Sequence, residues 1–399
     1  MIENAKITYL DNNATTQLDP AVVEEMLPFL TKFYGNPSSG YQFSAQVREA
    51  IELARERLAA LLDCELSEIV FTSCGTESNN AAFNSALQFN PVGKHILTSA
   101  VEHSAVRRHC EELAKRGCEV TFLSVDPNGN IDLEALEKSI KPTTAIVSIM
   151  WANNETGVLF PVEEIAEICR EKRVFFHTDA VQAVGKIPLC LRQSPINFLS
   201  LSAHKFHGPK GVGALYLNKR SRFQSSQIGG SQEGGRRAGT ENVASIVGLG
   251  KAAERAQQCL TEEETRVRAM RDRLEKAILE KVPEASVNGR CAARLPNTAS
   301  FSFDGVESEA ALMLLDRHNI CCSAGSACRS GSREASHVLR AMNLDEDRLR
   351  GSLRFSFGRF NSDSDVERAI EIIPTVIDKL RRLSAPATAD AQPALESLN

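Results

Sequence analysis

Between residues 69 and 217, short runs rich in β-branched and other apolar residues alternate with stretches of helical period, and this rhythm restricts the chain to few folds. The runs are Ile69–Thr72, His95–Ser99, Glu119–Val125, Thr144–Met150, Val174–Ala180, Phe198–His204 and Gly211–Leu217. Segments between them, such as Val162–Arg173, place Val162, Ile165, Ala166, Ile168 and Cys169 at helical spacing. Strands separated by helices are joined by crossovers, which gives a mainly parallel sheet covered on both faces. The last two runs are only six residues apart, too few for a crossover helix, so they are expected to pair antiparallel at an edge. The expected fold is therefore α/β, with a large, mainly parallel seven-stranded sheet.

Beyond the sheet, Lys251–Lys281 lacks Pro and Gly and reads as one or two long helices. Strand candidates Thr298–Phe303 and Ser352–Phe357 come next, with helices Ser308–Asn319 and Asp363–Leu383, which suggests a smaller α+β domain. The expected boundaries are 16–258 for the large cofactor-binding domain and 1–15 with 259–383 for the small one. Residues 384–399 lack aromatics and read as a disordered tail.

Forty-six basic against 51 acidic residues leave a net charge of -5, without the basic excess of a nucleic-acid binder. No apolar stretch reaches the ~18 residues of a membrane span, and the first fifteen residues do not resemble a signal peptide. Eleven cysteines, an odd number scattered along the chain, point to reduced thiols and a cytoplasmic protein. Ten of them read as small core hydrophobes.

Open α/β sheets bind ligands beyond the carboxyl ends of their strands, so the residues directly after each strand carry the functional information. After Ile69–Thr72, Ser73-Cys74-Gly75-Thr76 opens a helix, as a phosphate seat or a plain N-cap does. His103 comes after the next strand, and Trp151–Gly157, which includes Asn154, after another. Asp179 ends a run apolar enough for a central strand, where a carboxylate is costly without a cationic or protonated partner. Lys205 lies between His204 and Phe206-His207-Gly208-Pro209, a constrained turn in which a desolvated lysine can form a Schiff base. Pyridoxal phosphate needs a Schiff-base lysine, an acid on its ring nitrogen, a phosphate cradle and a stacked ring partner. Lys205, Asp179, Gly75-Thr76 and His103 match those four needs.

Cys328 sits in the Gly/Ser-rich segment 323–333 beside Arg329, either as a reactive thiolate or as an incidental cysteine. Cys321 and Cys322 read as packed. Arg354 alternates with Leu353 and Phe355, as a carboxylate-binding guanidinium or a solvated edge arginine. The Gly-rich stretch 229–242 reads as a surface loop or an intersubunit clasp.

The sequence resembles the pyridoxal-phosphate-dependent cysteine desulfurases, most closely the nitrogen-fixation type. The resemblance is carried by YLDNNATT (9–16), YGNPSS (34–39), FTSCGTESN (71–79), VEH (101–103), MWANNETG (150–157), HTDAVQAVGK (177–186), SAHKFHGPKGVG (202–213), GGRRAGTEN (234–242), GSAC (325–328) and RFSFGRF (354–360). It implies pyridoxal-phosphate fold type I, the aspartate-aminotransferase-like fold. It also implies that Lys205 holds the cofactor in Schiff-base linkage, Asp179 pairs with its ring nitrogen, and His103 stacks on the ring and relays protons. Gly75, Thr76, Ser202 and His204 would hold the phosphate, and Gln182 the ring oxygen. Asn154 would contact cofactor or substrate, Arg354 the substrate carboxylate, and Thr240 the phosphate of a neighbouring subunit, in a homodimer with shared active sites. Cys328 would take sulfur from L-cysteine as a persulfide, pass it to an iron–sulfur scaffold protein, and act as a transient cluster ligand. Two places depart from the usual pattern of the family: Gly40-Tyr41 follows NPSS in place of Leu-His, and Ala324 and Arg329 stand where Ser and Thr are common. A selenocysteine lyase, another β-lyase or an aminotransferase on the same fold, and a non-catalytic sulfur or cluster carrier, are the competing readings.

Overall fold

A computed structural model describes residues 6–90, 93–324 and 336–384. The chain runs through β1 (Thr8–Tyr9), α1 (Pro20–Thr31), α2 (Gln42–Leu62), β2 (Ile69–Thr72), α3 (Gly75–Phe89), β3 (His95–Ser99) and α4 (Ser104–Lys115). It continues through β4 (Glu119–Leu123), α5 (Leu133–Ser139), β5 (Thr144–Ser148), α6 (Val162–Lys172), β6 (Phe175–Asp179), β7 (Phe198–Ser202) and β8 (Gly213–Leu217). The predicted strands recur, but Glu119–Val125, Thr144–Met150, Val174–Ala180 and Phe198–His204 each end one or two residues early, where the chain leaves the ladder, and Gly211–Leu217 begins two residues late, at Gly213.

These strands form one sheet in the order β2-β8-β7-β6-β5-β3-β4. Every pairing from β7 to β4 is parallel, while β8 is antiparallel to both β7 and β2. The expected antiparallel pair is present, but β8 is not at an edge, because β2 lies outside it. Connection length dictates strand direction, whereas which strand lies outermost depends on where the earlier β2 docks. Neighbouring residues feed opposite faces, as a period of two requires. Leu97, Val147, Leu199 and Ala214 enter one core, and Ile96, Ile146, Phe198 and Leu215 enter the other with Phe83 of α3.

After the sheet, α7 (Val243–Glu262) passes through a π-turn at Glu263–Val267 into α8 (Arg268–Lys281). Then come β9 (Ala285–Val287), β10 (Thr298–Phe303), α9 (Ser308–Arg317), β11 (Ile320–Cys321), β12 (Ser323–Ala324), α10 (His337–Ala341), α11 (Glu346–Arg350), β13 (Ser352–Ser356) and α12 (Asp363–Ser384). A second antiparallel sheet, β12-β13-β10-β9, packs Phe301, Phe303, Leu353 and Phe355 against Leu274 of α8, Leu315 of α9 and Ile373 of α12. The N-terminal Leu10 joins this second core, and β1 pairs with β11. The expected tail lies outside the described residues from residue 385 onward, and Ser384 is still helical.

Candidate active site

β2, β3, β5, β6 and β7 all point the same way, so the residues after their ends gather at one edge of the sheet. Gly75 begins α3, His103 caps α4 by accepting the Ala105 N–H at 3.1 Å, and Lys205 closes a 3-10 turn directly after β7. Asp179 is the last residue of β6, the middle strand of the seven. Ser202 ends the adjacent β7.

Asp179 is 4% exposed, and its Oδ2 accepts from Asn79 Nδ2 at 2.8 Å and Oδ1 from Val181 N at 3.0 Å. Among the described residues it has no ion pair. A buried carboxylate held only by neutral donors is costly unless a cationic group meets it. Asn79 comes from α3, four residues after Gly75. A Cβ on Gly75 would sit 2.6 Å from Val181 Cγ2, so only glycine lets the start of α3 approach the loop after β6 this closely. The free amides of that first turn favour an anion. A buried acid needing a cation and a glycine-lined anion seat fit pyridoxal phosphate, whose basic ring nitrogen and phosphate lie at opposite ends.

Lys205 Nζ donates to the carbonyls of Asn13 at 2.6 Å and Ala14 at 2.9 Å. Asn13 ties the site together. Its carbonyl also accepts Gln182 Nε2 at 2.9 Å, its Oδ1 accepts Lys186 Nζ at 3.1 Å, and its Nδ2 donates to Thr298 Oγ1 at 2.8 Å and to the Asn154 carbonyl at 3.3 Å. Neither Asn13 nor Lys186 stood out as a site residue in the sequence. The polar pair Asn12-Asn13, far from the sheet in sequence but within a segment matching the family, was the available signal. His204 Nδ1 lies 3.1 Å from Thr15 Oγ1, and burial together with Lys205, Lys210 and Lys186 pushes its imidazole down to about 4. His204 is therefore neutral at physiological pH.

Arg354 lies on β13, an interior strand of its sheet, and is only 7% exposed, which rules out the solvated edge reading. Nη1 donates to the Asn154 carbonyl at 2.8 Å and Nη2 to Asp11 Oδ1 at 2.7 Å, while Nε has no partner among the described residues. Asp11 Oδ1 also accepts from Ser323 Oγ at 3.0 Å. Glu155, half-buried beside Arg354, accepts from Ser336 Oγ at 2.5 Å. Burial pushes its carboxyl up to about 7, against the pull of Ser336 and Arg354. Cys328 and Arg329 lie outside the described residues.

The aminotransferase class-V family pattern matches residues 8–369 of the chain. A cysteine desulfurase of Nostoc sp. is 52% identical over 381 residues, covering 95% of this chain and 94% of the relative. The cysteine desulfurase NifS of Azotobacter vinelandii is 51% identical over 377 residues, covering 94% of each. A solved NifS-like protein superposes with a TM-score of 0.88 at 36% identity, covering 94% of this chain and all of the other. This chain belongs to the cysteine desulfurases. Its family, the class-V aminotransferases, is pyridoxal-phosphate-dependent, and its described fold is the expected α/β one.

Two further expectations for this desulfurase concern its glycine-rich stretch and its cysteines. Within 229–242, Glu233 is buried and left-handed at φ 49°. It receives Arg55 Nη1 at 3.0 Å, Arg55 Nη2 at 2.9 Å and the Phe71 N–H at 2.9 Å. Arg237 pairs with Glu77 of α3 at 2.9 Å. These ties hold the stretch against α2, β2 and α3, and Thr240 beyond them is exposed. Of the cysteines expected in the core, only Cys64, Cys110 and Cys169 are buried among the described residues, and Cys190 and Cys291 are exposed. Cys321 and Cys322 are half-buried, and burial and Asp11 raise both thiols.

Proposed function

We propose that the protein converts L-cysteine to L-alanine and transfers the sulfur to Cys328 as a persulfide. The observation that carries this reading is the convergence of Lys205, the buried Asp179 and the Gly75 cradle at one sheet edge, with Arg354 held beside Asn154. When bound at Lys205, pyridoxal phosphate supplies an electron sink for bond breaking at the substrate's α-carbon. Asp179 would keep a proton on the basic ring nitrogen, while Gly75, Thr76, Ser202 and His204 would hold the phosphate. His103 would lie against the cofactor and relay protons, and Gln182 would meet its ring oxygen.

Arg354 orients the substrate carboxylate with Asn154, and the Lys205 amine moves the α-proton. The Cys328 thiolate attacks the substrate sulfur. An S–S bond forms as the substrate's Cβ–S bond breaks, the electron pair stays with Cβ, which takes up a proton, and return of the α-proton from the Lys205 amine gives alanine.

In this reading the persulfide serves an iron–sulfur scaffold protein, for nitrogenase-related cluster assembly in the cytoplasm, with Cys328 as a transient cluster ligand. Two copies share their active sites, and Thr240 reaches the partner copy's phosphate. The large domain is assigned to 16–258 and the small one to 1–15 with 259–383. The deciding experiment measures alanine and sulfide from L-cysteine with a thiol reductant, comparing wild type and Cys328→Ala. Both products from wild type and neither from a variant that still binds the cofactor support the proposal. Full activity in the variant refutes it.

A further inference from the structure

Lys186, seven residues after Asp179, has no part in the chemistry above, yet it is only 4% exposed. Lysine is almost never buried this deeply without partners that fix it. Its ammonium donates to Gln182 Oε1 at 2.6 Å and to Asn13 Oδ1 at 3.1 Å. The other oxygen of Asn13, its carbonyl, accepts Lys205 Nζ at 2.6 Å and Gln182 Nε2 at 2.9 Å. Two lysines are thus held by the two oxygens of one residue. The turn that carries Lys186 is fixed against the turn that carries Lys205: Gly185 has a φ of 76°, and a Cβ there would lie 2.8 Å from Phe206 Cβ.

We propose that Lys186 is a positioning residue of this site, locking Gln182 and Asn13 in one orientation and placing a second positive charge behind Lys205 Nζ. The inference rests on Lys205 being the cofactor's lysine. With Oε1 of Gln182 bound to Lys186, the NH2 end of that amide is turned to the Asn13 carbonyl, to which it donates at 2.9 Å. Below about pH 7, where Lys186 keeps its proton, this like charge disfavours the protonated form of the Lys205 nitrogen. The titratable and charged groups facing Lys186 are Lys205, His204 and His207 in the turn after β7, Glu263 in the π-turn and Arg354 on β13. Burial and then Lys205 bring the Lys186 ammonium down to about 7, with Glu263 opposing. Burial also raises Glu263 to about 7, with Lys186 and Arg359 opposing.

The test loads wild type, Lys186→Met and Lys186→Arg with pyridoxal phosphate and follows the visible absorbance of the resting holoenzymes against pH, with no cysteine present. Loss of the cation in Lys186→Met should move the midpoint up by about one unit, while Lys186→Arg should stay at or below the wild-type value. If Lys186→Met does not fold, Lys186→Gln, uncharged but still a donor, should give the same upward shift. An unchanged midpoint in the uncharged variant, or an equal rise in Lys186→Arg, overturns the proposal. A wild type that loads the cofactor but makes no alanine from cysteine overturns the desulfurase reading instead, and the resting titration still judges Lys186.

Discussion

Arg354 donates to Asp11 Oδ1 at 2.7 Å, so the guanidinium proposed to receive a substrate carboxylate already holds one from its own chain. Asp11 and the Asn154 carbonyl fix both terminal nitrogens and leave the buried Nε as an unmet donor among the described residues. Arg354→Lys loses the planar fork and cannot keep both ties. Its KM for L-cysteine should rise about tenfold, the equivalent of one charged hydrogen bond, with a smaller change in kcat. Asp11→Asn keeps the acceptor oxygen but removes a competing negative charge, and should lower KM by about threefold. Steady-state kinetics on both variants decide this, and a raised KM in Asp11→Asn would show that Asp11 does not compete with the substrate.

Asp179→Asn keeps a hydrogen-bond partner for Asn79 but can no longer hold a proton on the cofactor's ring nitrogen. Alanine formation should fall by about 10²- to 10⁴-fold. The cofactor should remain attached to Lys205, which borohydride reduction and peptide mass spectrometry would detect.

Gly75→Ala places a methyl 2.6 Å from Val181 Cγ2, and Val181 is β-branched with few alternative rotamers. Either the start of α3 or the loop after β6 must retreat. Pyridoxal phosphate affinity should weaken about tenfold, as measured by equilibrium dialysis, with little change in melting temperature of the cofactor-free protein.

Glu102 is fully buried, with Oε1 accepting from Ser99 Oγ at 2.7 Å and Met150 N at 2.9 Å, while Oε2 has no partner among the described residues. Burial, helped by the charge of Asp179, pushes its carboxyl up to about 8, against the bonds from Met150 and Ser99. The folded chain therefore keeps this proton after the unfolded chain has lost it near the ordinary glutamate value of 4.5. The contribution to stability falls as pH rises from about 4.5 to about 8, and is level outside that window. Glu102→Gln removes the titrating group, so its melting temperature should drop less than wild type's between about pH 5.5 and 8, by a few degrees. Parallel melting curves across that range would refute the assignment.

Much of the sheet edge was legible in one dimension. The period of two located the strands, and the apolar run ending in Asp179 marked a central strand because only full burial on both faces tolerates such a run. The turn that carries Lys205, which stands directly after β7 as expected, was legible in its His, Gly and Pro residues. The side chains that orient these groups were not. Asn13 and Lys205 are 192 residues apart and Asp11 and Arg354 are 343 apart. Periodicity records only which face of an element is buried, not which distant segment covers it.

By itself, then, the sequence determined the alternation of strands and helices, the direction of the β7–β8 pair and which polar residues stand directly after each strand. These stem from local spacing, burial period and connection length. Only the tertiary structure decided that β2 caps β8, that Arg354 is interior and committed to Asp11, and that Lys186 shares Asn13 with Lys205. Each of those depends on packing between segments far apart in the chain, the docking of β2 on β8 and of the N-terminal segment beside the two cores, which no local pattern encodes.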